Sequence, residues 1–136
     1  MRLRGAPLCL LLLLAIGCDP RVEECNGLVR VINKAQDDLD GLHGQADASG
    51  IRKFAEELDV VVEKLDAVAL KLADLRGFRD RYRTLIVDYS KDLRSLADAQ
   101  ESGDVAKLQA TATDGNRIEK DSTELIAAIN TYCGGK

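Results

Sequence analysis

The chain has 136 residues, 46% of them hydrophobic and 31% charged, with 2 prolines, no tryptophan, 4% aromatics and a net charge of −4. That length suits one domain rather than two. The absence of short β-branched and aromatic runs past residue 17 excludes a sheet protein in favour of helices. An acidic balance repels phosphate backbones and excludes bulk binding to nucleic acid.

The first element is a leader. Arg2 and Arg4 form a basic start, and Leu8 to Ile16 is an apolar run of nine residues. Such a run is too short to cross about 30 Å of hydrocarbon. It fits the apolar region of a signal peptide, and no other run in the chain approaches membrane length. The segment Ala15-Ile16-Gly17-Cys18 resembles the lipobox of bacterial lipoproteins. The resemblance covers residues 1–18: Gly17 and Cys18 match, Ala15 stands where Leu is commoner, and Ile16 where a small residue is preferred. It implies that residues 1–17 are removed and that Cys18 carries diacylglycerol as the new N-terminus. The first partner would then be a lipid bilayer, with the body in the cell envelope facing the periplasm or exterior. Asp19 resembles the inner-membrane retention signal of enteric lipoproteins; inner and outer membrane both stay open. The 119 residues left can bury a core, and 17 basic side chains then face 23 acidic ones, a balance of −6.

Ordinary secretion is the competing reading, because Ala15-x-Gly17 also suits a small-residue cleavage site. Cysteine arithmetic separates the two. Cys9 leaves with the leader, and Cys18, Cys25 and Cys133 remain, an odd number for an oxidising compartment. Lipidation consumes Cys18 and leaves Cys25 and Cys133 to pair. Two buried, reduced thiols are the alternative. A bridge would close 108 residues and contribute roughly 4–5 kcal/mol in the chain-entropy model. No Cys-x-x-Cys spacing marks a redox centre, so the pair reads as structural.

After Cys18, residues 19–24 form a tether reaching at most about 20 Å, and the bundle proper spans 25–133. The spacing predicts a first helix from about Arg21 to Leu42, opened by Pro20 and carrying Val22, Cys25, Leu28, Val29, Ile32, Ala35, Leu39 and Leu42. Gly41 and Gly44 end it. A second helix runs from Ser49 or Gly50 to Val68 on a stripe of Ile51, Phe54, Leu58, Val61, Leu65 and Val68. The pattern then breaks at 69–73, with Asp74 as cap and a restart at Leu75. The rival is one helix from 50 to 101, since the apolar seam keeps phase. The third helix covers 75–101, and Ser102-Gly103-Asp104 stops it and caps the next. The fourth covers 105–132, with Val105, Leu108, Ala112, Ile118, Leu125, Ile129 and Tyr132 inward and Gly115 marking a bend or close packing. Residues 134–136 form a frayed tail.

Four amphipathic helices on short loops predict an all-α, up-down-up-down four-helix bundle. That topology brings Cys25 and Cys133 to the same end. The body resembles small all-helical envelope lipoproteins.

No catalytic constellation emerges. His43 is the sole histidine, in a loop with Gly41 and Gly44, and a single histidine excludes the paired Glu-x-x-His of di-iron bundles. Haem, zinc and phosphate-loop patterns are absent, so no cofactor or metal is expected. The aromatic stripe Phe78, Tyr82, Tyr89 reads as core, with a ligand groove between helices as the alternative. Arg76, Arg79, Arg81 and Arg83 crowd a helix N-terminus, where cations oppose the dipole. They would face either local ion pairs or anionic head groups beside the tether. The expected function is a non-enzymatic, membrane-anchored structural or protein-binding module with an envelope protein as partner. The alternative is a bundle that binds a small ligand or lipid in a cleft. Oligomeric state is not readable.

Overall fold

The computed structural model describes residues 19–40 and 46–134. Cys18 and the leader, Gly41, Leu42, His43 and Gly44, and residues 135–136 lie outside them. The described residues form four α-helices: α1 (Pro20–Asp40), α2 (Ala48–Asp66), α3 (Ala73–Ser102) and α4 (Val105–Gly134). Together they make a four-helix bundle with no strand among the described residues.

Local chemistry sets most of these ends. Asp19 caps α1 by accepting the Arg21 N–H at 2.9 Å, so residues 20–24 are helical rather than an extended tether. Asp47 caps α2 by accepting the Gly50 N–H at 2.7 Å. Gly103 closes α3 in the left-handed region at φ 66°, which an L side chain adopts at a cost. Asp104 then accepts the Lys107 N–H at 3.0 Å and opens α4.

The chain breaks between α2 and α3, which rules out one continuous helix. The cap there is not Asp74, which falls inside the first turn of α3. Glu24 of α1 does that work: its Oε2 accepts the N–H groups of Lys71 and Leu72 at 2.9 and 3.0 Å. A carboxylate at the positive end of α3 is favourable, and it ties the α2–α3 turn to the start of α1.

The core runs through Leu28, Ala55, Leu58, Leu65, Leu75 and Ala97, all fully buried, with Leu125 and Ile129 from α4. On α4 the inward face differs from the apolar pattern. Val105 is 65% exposed and Ala112 is exposed, whereas Thr111 is buried. Thr111 hides its hydroxyl by donating to the carbonyls of Lys107 and Leu108, so the face follows 111, 118, 125 and 129. Val22 on α1 likewise points outward, 52% exposed.

Helix α3 is the centre, packed along α2 and α4. Across α2 and α3, Arg52 bridges Asp98 and Glu101, Arg94 meets Asp59 at 2.5 Å and Arg83 meets Asp66 at 2.8 Å. Exposed pairs of this kind contribute little each, and their series fixes register. One member is sheltered: Ser90, 1% exposed, donates to the Ala55 carbonyl and to Asp59, and accepts from Arg94. The Arg94 guanidinium, helped by Ser90, holds the Asp59 carboxyl below the usual carboxylate range.

Candidate functional site

Helix length creates the most distinctive feature of the surface. At about 1.5 Å per residue, the 21 residues of α1 span about 31 Å, against about 45 Å for the 30 residues of α3 and of α4. Helix α1 lies between α2 and α4, which do not approach each other directly among the described residues. The last turns of α1 therefore reach only part way along a slot whose floor is α3. An open groove with a cavity volume of about 700 Å³ lies at the end of α1. That size falls in the range of ligand sites, roughly 300–1,000 Å³.

Each helix contributes to it. From α1 come Gln36, Leu39 and Asp40; from α2, Phe54 and Leu58. The floor is Tyr82, Leu85, Ile86 and Tyr89 of α3. The opposite wall is Ile118, Glu119, Ser122, Thr123 and Ile126 of α4, with Gly115 among them. Phe54 meets Tyr89 edge to face, ring centroids 6.0 Å apart, which stiffens the floor. Burial pushes the Tyr82 phenol up from its ordinary value. Burial, then the charges of Asp92 and Glu119, push Tyr89 the same way. Both phenols therefore stay neutral at physiological pH and present O–H groups beside aliphatic walls.

Gly115 makes no close approach to a neighbouring element. A Cβ built there would meet only Asp92 Oδ2, at an ordinary 3.7 Å. Asp92 itself is raised above the usual carboxylate range by burial, then by Asp114.

The other sequence candidates gather at the opposite end of α1. Cys25 and Cys133 form a disulfide with Cα atoms 5.6 Å apart. Beside it Phe78 packs edge to face on Tyr132, and the Arg21 guanidinium lies 5.7 Å from the centre of the Tyr132 ring. The aromatic stripe of α3 thus divides: Phe78 joins the disulfide end, Tyr82 and Tyr89 the groove.

The arginines that seemed misplaced on α3 serve the end of α2. Arg76 donates to the Lys71 carbonyl at 3.1 Å and Arg79 to that of Val68 at 3.4 Å. Both satisfy carbonyls that follow a helix C-terminus. Arg79 also pairs with Asp80, and Arg83 with Asp66. Arg81 is exposed beside Asp121 and Glu124 of α4.

Among the described residues no cluster of His, Cys, Asp and Glu could hold a metal, and no helix is long and apolar enough to cross a membrane. No family model, curated protein or solved structure matches this chain.

Proposed function

We propose that this protein is a lipoprotein of the bacterial envelope, anchored through acylated Cys18, whose bundle binds a small elongated apolar molecule. The observation that carries the binding half is the groove of about 700 Å³ at the end of α1, with its aromatic floor and aliphatic walls. No buried side-chain polar atom among the described residues lacks a hydrogen-bond partner. The aliphatic side chains of the walls favour an apolar body in the groove.

The anchoring half rests on the lipobox resemblance and on the odd cysteine count, and the Cys25–Cys133 bridge supports it by accounting for the other two thiols. Asp19 starts α1 at the disulfide end, so an acyl chain at Cys18 would hold that end nearest the lipid. Arg21, Lys71, Arg76 and Arg79 lie at this end and would face anionic head groups. A protein-docking role, the other function the sequence suggests, calls for a continuous exposed apolar face. The large exposed apolar side chains among the described residues, Val22, Val60 and Val105, lie on three different helices.

The test uses the full chain. Nile red, an uncharged apolar dye, is expected to brighten on binding, and Ser122→Trp, which fills the groove wall, is expected to abolish the effect without loss of helicity. Equal brightening by both proteins would overturn the groove as the site. Intact mass of the membrane-purified chain tests the anchor, since acylation adds mass at Cys18 and Cys18→Ser moves the protein out of the membrane fraction.

A further inference from the structure

The two halves of the disulfide are shielded unequally. Cys25 is 3% exposed and belongs to the core, whereas Cys133 is only partly buried, in the last turn of α4. A hollow with a cavity volume of about 230 Å³ lies between α1 and α4 and is lined by both cysteines. Its lining holds no charged side chain. Val22 and Val29 give it apolar sides, and Asn26 and Asn130, both exposed, give it amides. Gly134 borders it next to Cys133, and a Cβ built there would meet nothing within 4 Å. One cysteine is therefore sealed, and the other lies beside open space with room for an incoming side chain.

The bond also holds an element that little else holds. Helix α1 buries four residues, against six on α2 and seven on α3, and one of its four is Cys25 itself. Thiol–disulfide exchange depends on access and on which sulfur is attacked. Access here favours Cys133.

We propose that the Cys25–Cys133 bond is a thiol-exchange site, opened through Cys133 by a dithiol oxidoreductase, and that it latches the start of α1. A thiolate of the dithiol attacks Cys133 Sγ. The S–S bond breaks, a mixed disulfide forms at Cys133, and Cys25 leaves with the electron pair and takes a proton from solvent. The second thiol of the dithiol, as its thiolate, attacks its own partner's sulfur in the mixed disulfide. Cys133 is expelled as a thiolate and protonated. The chain is reduced to two thiols, and the dithiol is oxidised to a disulfide. The hollow receives the attacking residue between Val22 and Val29. The pair lacks Cys-x-x-Cys spacing, so it is the substrate of this exchange and not its catalyst. The inference stands apart from the groove.

The test uses the membrane-purified full chain, with reduced glutathione as a monothiol probe, dithiothreitol as the dithiol and iodoacetamide to trap freed thiols. Mass mapping after digestion distinguishes Cys133 from Cys25 and from every other cysteine. Glutathione is expected on Cys133 about tenfold more often than on Cys25, which is found alkylated. Asn130→Trp and, from the opposite wall, Val22→Trp fill the hollow. Each is expected to slow native reduction by dithiothreitol about tenfold, with helicity kept and the rate in denaturant unchanged. Adducts shared equally by the two cysteines would overturn the site. So would a native reduction rate that rises with denaturant in step with global unfolding, which would leave the bond a structural cross-link. Amides from Cys25 to Ile32 are expected to lose hydrogen-exchange protection on reduction and regain it on reoxidation. Protection that stays unaltered would overturn the latch.

Discussion

The two ends of α1 are held in opposite ways. Its first turns are gripped by a disulfide, a carboxylate that accepts from two N–H groups of the α2–α3 turn, and an aromatic contact between α3 and α4 that also receives Arg21. Its last turns are held by fully buried Ala35, partly buried Leu39 and the exposed Asp38–Lys64 pair at 3.4 Å, and they border the groove. One bundle therefore contains a cross-linked base and an open groove, and the groove lies where α1 ends against the longer α3 and α4. Tight closure at one end lets the other stay open without separating the helices.

Breaking the base should have the largest effect. Cys25→Ala with Cys133→Ala removes a 108-residue covalent loop, and the chain-entropy model assigns it about 4–5 kcal/mol. Denaturant unfolding should show that loss, and hydrogen exchange should show α1 opening before α3. A double variant whose α1 amides stay as protected as those of α3 would mean that packing alone holds the helix.

A matched pair of truncations sharpens the contrast. Leu28, fully buried near the disulfide, should cost about 3 kcal/mol as Leu28→Ala, because removal leaves a closed cavity. Leu85, half-buried at the groove floor, should cost about 1 kcal/mol as Leu85→Ala, since the space beside it is already open. Equal costs would show that the groove is closed in solution.

Much of this architecture was readable from residues close in sequence. The stripe from Ile51 to Leu65 announced α2, Gly103-Asp104 the turn into α4, and the cysteine count the bridge, whereas the Asp47 cap of α2 went unread. What escaped depended on distant residues or on amphipathic side chains. The cap on α3 comes from Glu24, 47 residues before Lys71, and no local pattern reveals it. Arg76 and Arg79 looked wrong for their own helix because they serve another. Ser90 and Thr111 look polar yet are buried, because each hydroxyl reaches a carbonyl within its reach. The groove was legible only in part: the unequal helix lengths were in the pattern, while Asp40, Glu119 and Ser122 carried no sign that they would share a cleft.

Two smaller effects probe the open side. Gly115→Ala should stabilise the protein by about 1 kcal/mol, since Ala favours a helix interior and its methyl meets only Asp92 at 3.7 Å; a loss of stability in denaturant unfolding would show tighter packing there. Asp92→Asn should have the smallest effect. Burial raises the Asp92 carboxyl in the folded chain, so its contribution is fully present below the ordinary carboxylate range and is lost as pH rises through the raised value. The variant should melt slightly higher than the parent at neutral pH and equally at pH 3. A difference of the same size at both pH values would place its cause outside ionisation.

The bond between Cys25 and Cys133 also decides where tension travels. Pulling on the backbone before Asp19 against the backbone beyond Gly134 stretches only the six residues from Asp19 to Glu24, one covalent sulfur link and a single terminal residue. The hundred or so residues enclosed between the two cysteines feel almost none of it, so the cleft keeps its shape under such a load.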